Sequence, residues 1–303
     1  MRRGLLVFNP EATSVSPRVR DVIAHALASE LKLDVAETKR RHHATHLAIG
    51  AAHEGFDIVA VLGGDGTLNE VVNGLAGTDV TVVALPGGGT NVFSRTLGLP
   101  NDPIEATGVV LERIAENAPA RRINLGKING RAFAFCAGIG FDAAVVRAVE
   151  RRFRLKRKIG EGLFVAQTLR TFFFVYPRHD PPLTLHAGGE SITHLHEVAS
   201  SNSNPFTFLG RRPFQVCPEA DQDLGLDVMA LTKLGTAGTL RMVWRAFGSG
   251  GHTRLRHVRA LHDLSDFSVE SSRPVPYQVD GDFAGEDTQF RFEVLPQALN
   301  VLA

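Results

Sequence analysis

Apolar runs alternate with helical spacing from the start of the chain to about residue 118. Gly4 to Phe8 reads as a buried strand. Val19, Val22, Ile23, Ala26, Leu27 and Leu31 then follow Pro17 at the spacing of one helix face. Leu33 to Thr38 predicts a second strand and Ala44 to Glu54 a second helix. Asp57 to Leu62 is a continuous apolar strand, Leu68 to Leu75 a helix, Val80 to Leu85 a fourth strand, and Ile104 to Ala118 a further helix. Strands apolar on both faces, separated by helices, predict a doubly wound, mainly parallel α/β domain.

The pattern changes after Pro119. Short strands follow with little helix between them: Arg131–Cys136, Leu183–His186, Ile192–Ser200, Pro213–Val216, Leu226–Leu231, Phe267–Glu270 and Gln289–Leu295. Phe141 to Tyr176 and Thr236 to Phe247 interrupt them with helical character. A mainly antiparallel second domain is expected, with domains at 1–122 and 123–296 and a cleft between them as the default site.

Composition narrows the class. In 303 residues, 44% are apolar and 21% charged, the balance of a globular protein. Two cysteines, Cys136 and Cys217, build no disulfide framework and point to a reducing compartment. The longest stretch without Asp, Glu, Lys or Arg is Val80 to Ser94, too short for a membrane span, so a cytoplasmic protein is expected. Net charge is +1, yet residues 147–178 hold nine cations against Glu150 and Glu161. So local an excess argues against nucleic acid as partner and fits either an anionic membrane surface or a solvated helix face.

The sharpest chemical signal is Gly63-Gly64-Asp65-Gly66-Thr67, between a strand and a helix. Such a junction offers backbone N–H groups and a helix dipole to a phosphate, and glycines let the backbone approach it. Thr67 to Glu70 reads equally as a capping box closing the start of that helix. A second loop, Pro86-Gly87-Gly88-Gly89-Thr90-Asn91, follows the next strand, so both lie at one edge of the sheet, where α/β proteins bind ligands. No G-x-x-x-x-G-K-[ST], G-x-S-x-G or H-E-x-x-H occurs, and Asn69 stands where a dinucleotide fingerprint needs its third glycine. His252, His257 and His262, five apart, read as surface residues.

Gly63–Leu75 (GGDGTLNEVVNGL) and Leu85–Pro100 (LPGGGTNVFSRTLGLP) resemble the catalytic core of the diacylglycerol kinase superfamily. His43–Ala48, Asn9-Pro10, Ala137–Val146 and Val279–Gly285 extend the likeness over nearly the whole chain, nearest to the bacterial soluble lipid kinases. The resemblance implies an N-terminal α/β nucleotide domain, completed by about residues 297–303, and a C-terminal β-sandwich. It also implies ATP-dependent phosphorylation of a lipid with a free hydroxyl; Mg²⁺ bridging the nucleotide phosphates is expected with it, as is a cytoplasmic protein peripheral at the inner membrane surface. Carried over, it places the nucleotide on Asn9, Thr38, Gly64, Asp65, Gly66, Thr67, Asn69, Glu70, Gly88, Gly89 and Thr90. The family's Asp-Gly-Glu, whose Glu accepts the proton, is here Asp280-Gly281-Asp282. The base is therefore sought among Asp282, Asp280 and Asp65, although Asp280–Asp282 read alone is equally a hairpin turn. A structural Mg²⁺ site would fall on Asp223, where a solvated acidic turn is the plain alternative.

The cation-rich Arg151–Lys158, followed by Thr171–Tyr176 with three phenylalanines, suits an anionic lipid surface. Phenylalanines in the core or at a homodimer interface suit the sequence as well. Two other functions compete with the lipid kinase: an NAD-kinase-like phosphotransferase, and a nucleotide- or lipid-binding protein without turnover, which the shortened carboxylate of Asp282 favours.

Overall fold

The computed structural model describes residues 1–151, 161–248 and 250–302. The chain divides into two units, Met1–Leu125 with Pro296–Ala303, and Gly126–Leu295.

In the first unit β1 (Arg2–Phe8) pairs in parallel with β2 (Leu31–Glu37) and with β3 (Ile58–Gly63). β3 pairs in parallel with β4 (Thr81–Pro86), so the order is β4-β3-β1-β2. The end of β16 (Asp282–Val301) adds a further parallel strand, Asn300 opposite Thr81. Side chains alternate across these strands. Leu6, Phe8, Ile58, Ala60, Leu62, Val83 and Leu85 face α1 (Pro17–Leu27) and α5 (Pro103–Ala115) in one core, through Ile23, Leu27, Ala106, Val110 and Ile114. Leu5, Val7, Val59, Val61, Val82 and Ala84, of opposite parity, are buried too. On that side α2 (His43–His53) packs closely on α3 (Asp65–Leu75), because a Cβ on Gly74 would lie 2.7 Å from the Ala48 Cβ. Apolar residues at both parities thus become a doubly wound sheet. α4 (Val92–Thr96) completes the unit.

The second unit is built of antiparallel strands: β5 (Arg121–Ile128) leads into it and pairs with β6 (Arg131–Phe133), and β11 (Thr207–Leu209) pairs with β12 (Arg212–Phe214). β10 (Glu197–Ser201) pairs with β13 (Leu226–Leu231) and β7 (Cys136–Gly140), and β7 pairs with β15 (Asp266–Val279). β15 also pairs with β8 (Leu183–Ala187) and with the start of β16. An irregularity between Glu270 and Val275 lets this long strand serve both sets of partners. Ala137, Ile139, Leu185, Leu195, Val198, Val228, Val269, Phe290 and Phe292 share one core, the inner layer of a sandwich. Residues of opposite parity, Ala199, Met229 and Leu231, belong to a second core with Phe172 and Met242.

Several expected elements shift. Ile192–Ser200 divides into β9 (Glu190–Leu195) and β10, because His196 turns its N–H to the Leu231 carbonyl (2.8 Å) and His194 takes a positive φ of 59°. β14 (Val258–Leu264) was hidden in the sequence because its polar residues alternate poorly with its apolar ones. Phe141–Tyr176 contains α6 (Phe141–Glu150), α7 (Glu161–Arg170) and a π-helical turn (Thr171–Val175). The basic run from Arg152 to Lys158 lies outside the described residues. Among those residues, no helix is long and apolar enough to cross a membrane.

Candidate active site

Parallel strands end on one edge of their sheet, so β1 to β4 deliver the loops beginning at Asn9, Thr38, Gly64 and Gly87 to the same edge. The chain proceeds outward from β1 in both directions, which makes the β1/β3 boundary the switch point where such sheets bind ligands. Asn9 and Gly64 flank that boundary. Asn9 Nδ2 donates to Thr67 Oγ1 (3.1 Å), fastening the first loop to the first turn of α3. Thr38 is held at its strand end by its N–H on the Phe8 carbonyl (2.9 Å).

The two glycine loops are packed backbone to backbone. Gly87 N–H donates to the Gly63 carbonyl (2.8 Å). A Cβ on Gly87 would lie 2.7 Å from Gly63 N, and one on Gly88 would lie 2.7 Å from Gly64 Cα. Close approach of the loops therefore explains Gly87 and Gly88 without any ligand. Gly89 differs: it is exposed, and a Cβ there would meet nothing within 4 Å. Asn91 holds the second loop from beneath, with Oδ1 accepting from Gly88 N–H (2.8 Å) and Nδ2 donating to the Gly88 and Asn101 oxygens (2.9 and 2.8 Å). Its place in the G-G-G-T-N run was the only signal of this role.

Asp65 lies in the first turn of α3, and its carboxylate receives Val92 N–H (3.1 Å) and Phe93 N–H (3.3 Å). It caps α4 and so ties the two glycine loops together. Thr67 and Glu70 do not form the expected capping box. Gly64 is extended and α3 begins at Asp65, which puts Thr67 inside the helix and Glu70 too far along it to reach back. Glu70 instead accepts from His42 N–H (2.8 Å) and Ala44 N–H (3.0 Å), capping α2. Asn69 is 1% exposed and its Oδ1 accepts from Asn73 (3.3 Å), so it lies beneath the edge. Asn9, Thr38, Gly64, Gly66, Thr67, Gly88, Gly89 and Thr90 share the open edge; Asn69 is buried beneath it, and Glu70, half-buried, is engaged with the start of α2.

In the second unit Asp280 and Gly281 are the two-residue turn of the β15–β16 hairpin, with φ of 47° and 79°. The Asp280 carboxylate is buried and accepts from Ala134, Phe135 and Cys136 N–H (2.8, 3.0 and 3.1 Å). Three such donors make Asp280 an anchor for β7. Asp282 opens β16, half-buried, opposite Val279.

Beside the hairpin is a group that the sequence did not single out. Gln278 Oε1 accepts from Gly281 N–H (2.9 Å), and its Nε2 donates to Asp142 Oδ2 (3.0 Å). Burial pushes the Asp142 carboxyl up to about 6, against the lowering effect of its hydrogen bonds to Gln278 and Ala143. Buried Glu197 is raised well above the ordinary carboxyl range, first by burial and then by the Asp142 charge. Gly138 leaves room for this carboxyl, since a Cβ there would come 2.0 Å from Asp142 Oδ2. Gly140 leaves the Tyr176 hydroxyl free to donate to the His196 carbonyl (2.5 Å). The available signal was the strand–glycine–acid–helix order of Ala137–Val146.

Asp223 sits exposed on a turn, its N–H donating to Asp221 Oδ1 (2.9 Å). Among the described residues no group of three or more His, Cys, Asp or Glu could hold a metal. The histidine reading also needs correction: His252 is fully buried with Nε2 against the Val216 carbonyl (2.8 Å), and His257 is half-buried. His262 is exposed and pairs with Asp227 (2.6 Å).

Comparison with known proteins accords with both halves. Residues 3–127 match the diacylglycerol kinase catalytic domain, and residues 136–303 match the YegS C-terminal NAD kinase beta sandwich-like domain. A diacylglycerol kinase of Bacillus subtilis (strain 168) is 38% identical over 151 residues, 46% of this chain and 46% of that protein, so the match spans about half of each. A diacylglycerol kinase of Staphylococcus aureus (strain MRSA252) is 26% identical over 300 residues, 94% of this chain and 87% of that protein. The crystal structure of a diacylglycerol kinase from Bacillus anthracis str. Sterne superposes with a TM-score of 0.78 at 24% identity, covering 99% of this chain and 96% of that one, a likeness of fold. With a doubly wound unit carrying paired glycine loops and a second unit of antiparallel strands, the chain belongs to the family of kinase-like phosphotransferases that joins a diacylglycerol kinase catalytic domain to a YegS-type C-terminal domain.

Proposed function

We propose that this protein is a lipid kinase that transfers the γ-phosphate of ATP to the free hydroxyl of diacylglycerol or a similar lipid. The observation that carries the proposal is the contrast within the second glycine loop. Packing accounts for Gly87 and Gly88 but not for the open, exposed Gly89, and close approach of a phosphate to the backbone would account for it. The nucleotide phosphates would lie at the edge formed by Gly64, Gly66, Thr67, Gly89 and Thr90, with Asn9 and Thr38 beside them. Mg²⁺ carried with the nucleotide would neutralise charge on the β- and γ-phosphates.

Within that site Asp65 acts as a positioning residue, because its carboxylate is engaged by the N–H groups of Val92 and Phe93. The proton of the acceptor hydroxyl is assigned to Asp282. Asp280, engaged by three backbone donors, holds the hairpin that presents Asp282. Orientation and electrostatic stabilisation would supply most of the rate, and the base a smaller share.

The test is transfer from γ-labelled ATP with Mg²⁺ to diacylglycerol, ceramide, sphingosine and NAD, with the lipids in mixed micelles. Label in one of the lipids is expected. Label in NAD alone would replace the lipid acceptor with a dinucleotide, and nucleotide binding without label in any acceptor would reduce the protein to a binding module.

A further inference from the structure

α8 (Thr236–Ala246) is apolar on two faces. Met242 and Ala246 are buried, and Met242 joins the core containing Ala199, Met229 and Leu231. Ala237, Leu240, Arg241 and Trp244 lie on the opposite, exposed stripe, at the spacing of one helix face. Leu240 is 62% and Trp244 82% exposed, so two large apolar side chains one turn apart point into water. Such a pair on an outer helix face is costly unless something covers it.

The charge around the stripe identifies what would cover it. Residues 228–262 contain Lys233, Arg241, Arg245, Arg254, Arg256 and Arg259 and no aspartate or glutamate. Five of the six are exposed, and the loop bearing Arg254 and Arg256 packs beside α8, with Leu255 joining the Met242 core and the His257 ring next to Gly238. The π-helical turn covers the same core through Phe172 and exposes Phe173, Phe174 and Val175, with the Arg178 guanidinium over the Phe172 ring at 4.7 Å. Trp and Leu on one exposed helix face, with arginines on the same helix and on the loop beside it, is the composition of a helix lying in a membrane interface. A second copy of the chain fits poorly, because a two-fold contact would set this cation-rich segment against itself with no carboxylate to meet it.

We propose that the exposed face of α8, extended by the π-helical turn, is a docking surface for an anionic lipid bilayer. Trp244 and Leu240 enter the headgroup boundary while the arginines meet lipid phosphates. Exposure and charge carry this proposal, and it stands whether or not the phosphotransfer assignment does.

Trp244 is the chain's single tryptophan, so its emission reports this surface alone. The full chain would be titrated, without nucleotide, with vesicles of phosphatidylglycerol and phosphatidylcholine and with phosphatidylcholine alone. The expected result is a blue shift and quenching by brominated acyl chains on the anionic vesicles, reversed by salt. Leu240→Ser and Arg241→Glu should each weaken co-sedimentation about tenfold, as should Trp244→Ser. All three side chains are exposed, so thermal melts should be unchanged, and so should turnover of an acceptor short enough to be monomeric in water. Co-sedimentation with an unmoved Trp244 emission would overturn the proposal, as would a failure to sediment with anionic vesicles. A shift that follows protein concentration in the absence of lipid would overturn it in favour of a second copy.

Discussion

Two strand-to-helix junctions, one in each unit, are made of the same parts and put them to different uses. In the first, β3 runs through Gly63-Gly64 into Asp65 and α3; in the second, β7 runs through Gly138-Ile139-Gly140 into Phe141, Asp142 and α6. Asp65 meets two backbone N–H groups at the start of another helix and ties the glycine loops together as a charged cap. Asp142 turns inward on to Gly138 and Gln278, beside buried Glu197, where burial outweighs its hydrogen bonds. The surroundings match this division. The buried polar residues of the first unit are Asn69, Asn91, Ser94, Thr107 and Asn300, all uncharged, whereas the second buries Glu197, Asp227 and Asp280 with His196 and His252. The motif sets the backbone, and what packs over it decides whether the acid is a helix cap or a carboxyl whose pKa is raised by its surroundings.

The comparison breaks most visibly at the glycines. Gly138→Ala would drive a Cβ to 2.0 Å from Asp142 Oδ2 and should cost about 3 kcal/mol or more in urea unfolding. Gly64→Ala meets its nearest neighbour, Gly88 Cα, at 3.5 Å and should cost about 0.5 kcal/mol. A similar cost at both positions would mean that the junctions are packed alike.

The acids should separate by sign. Asp142 is raised in the fold, so its favourable contribution is complete below the unfolded value near 4 and is lost as pH rises through about 6. Asp142→Asn should therefore be the more stable protein above pH 7, by about 2 kcal/mol, with the gain vanishing toward pH 4. Asp65→Asn should lose about 1 kcal/mol at pH 7, because two N–H donors exchange a charged acceptor for a neutral one. Urea unfolding at pH 4.5 and 8 decides both, and a stabilising Asp65→Asn would undo the distinction.

The loops supply a finer contrast. Gly89→Ala, with nothing within 4 Å, should leave the melting temperature in place and weaken ATP binding about tenfold, as titrated by calorimetry. Glu70→Ala removes the cap from α2 and should lower stability by about 1 kcal/mol with ATP affinity little changed. An ATP defect at Glu70 as large as that at Gly89 would return Glu70 to the open edge.

The first unit was more legible in the sequence because its signals are local. Continuous apolar strands and glycines directly after them are readable within a dozen residues, and the edge holding Asn9, Thr38 and Gly64 follows from parallel strand order alone. Partners distant in sequence were not readable. Glu70 spans to His42, Asp65 to Val92, and Asp280 to Ala134 across the fold. Spacing gives no hint of which backbone donors a carboxylate will find, so a capping box was expected where Glu70 serves another helix. The same blindness hid Asp142 with Glu197 and placed buried His252 on the surface, since burial is a property of packing between strands.

The lipid kinase assignment is tested most directly by phosphate transfer from γ-labelled ATP to diacylglycerol in mixed micelles, wild type beside Asp282→Ala, with ATP affinity measured on both. Labelled lipid from wild type, a loss of about 100-fold or more in the variant and unchanged ATP binding are expected. Full turnover by Asp282→Ala would contradict the assignment of the base, and ATP binding without labelled lipid from wild type would contradict the assignment of the reaction.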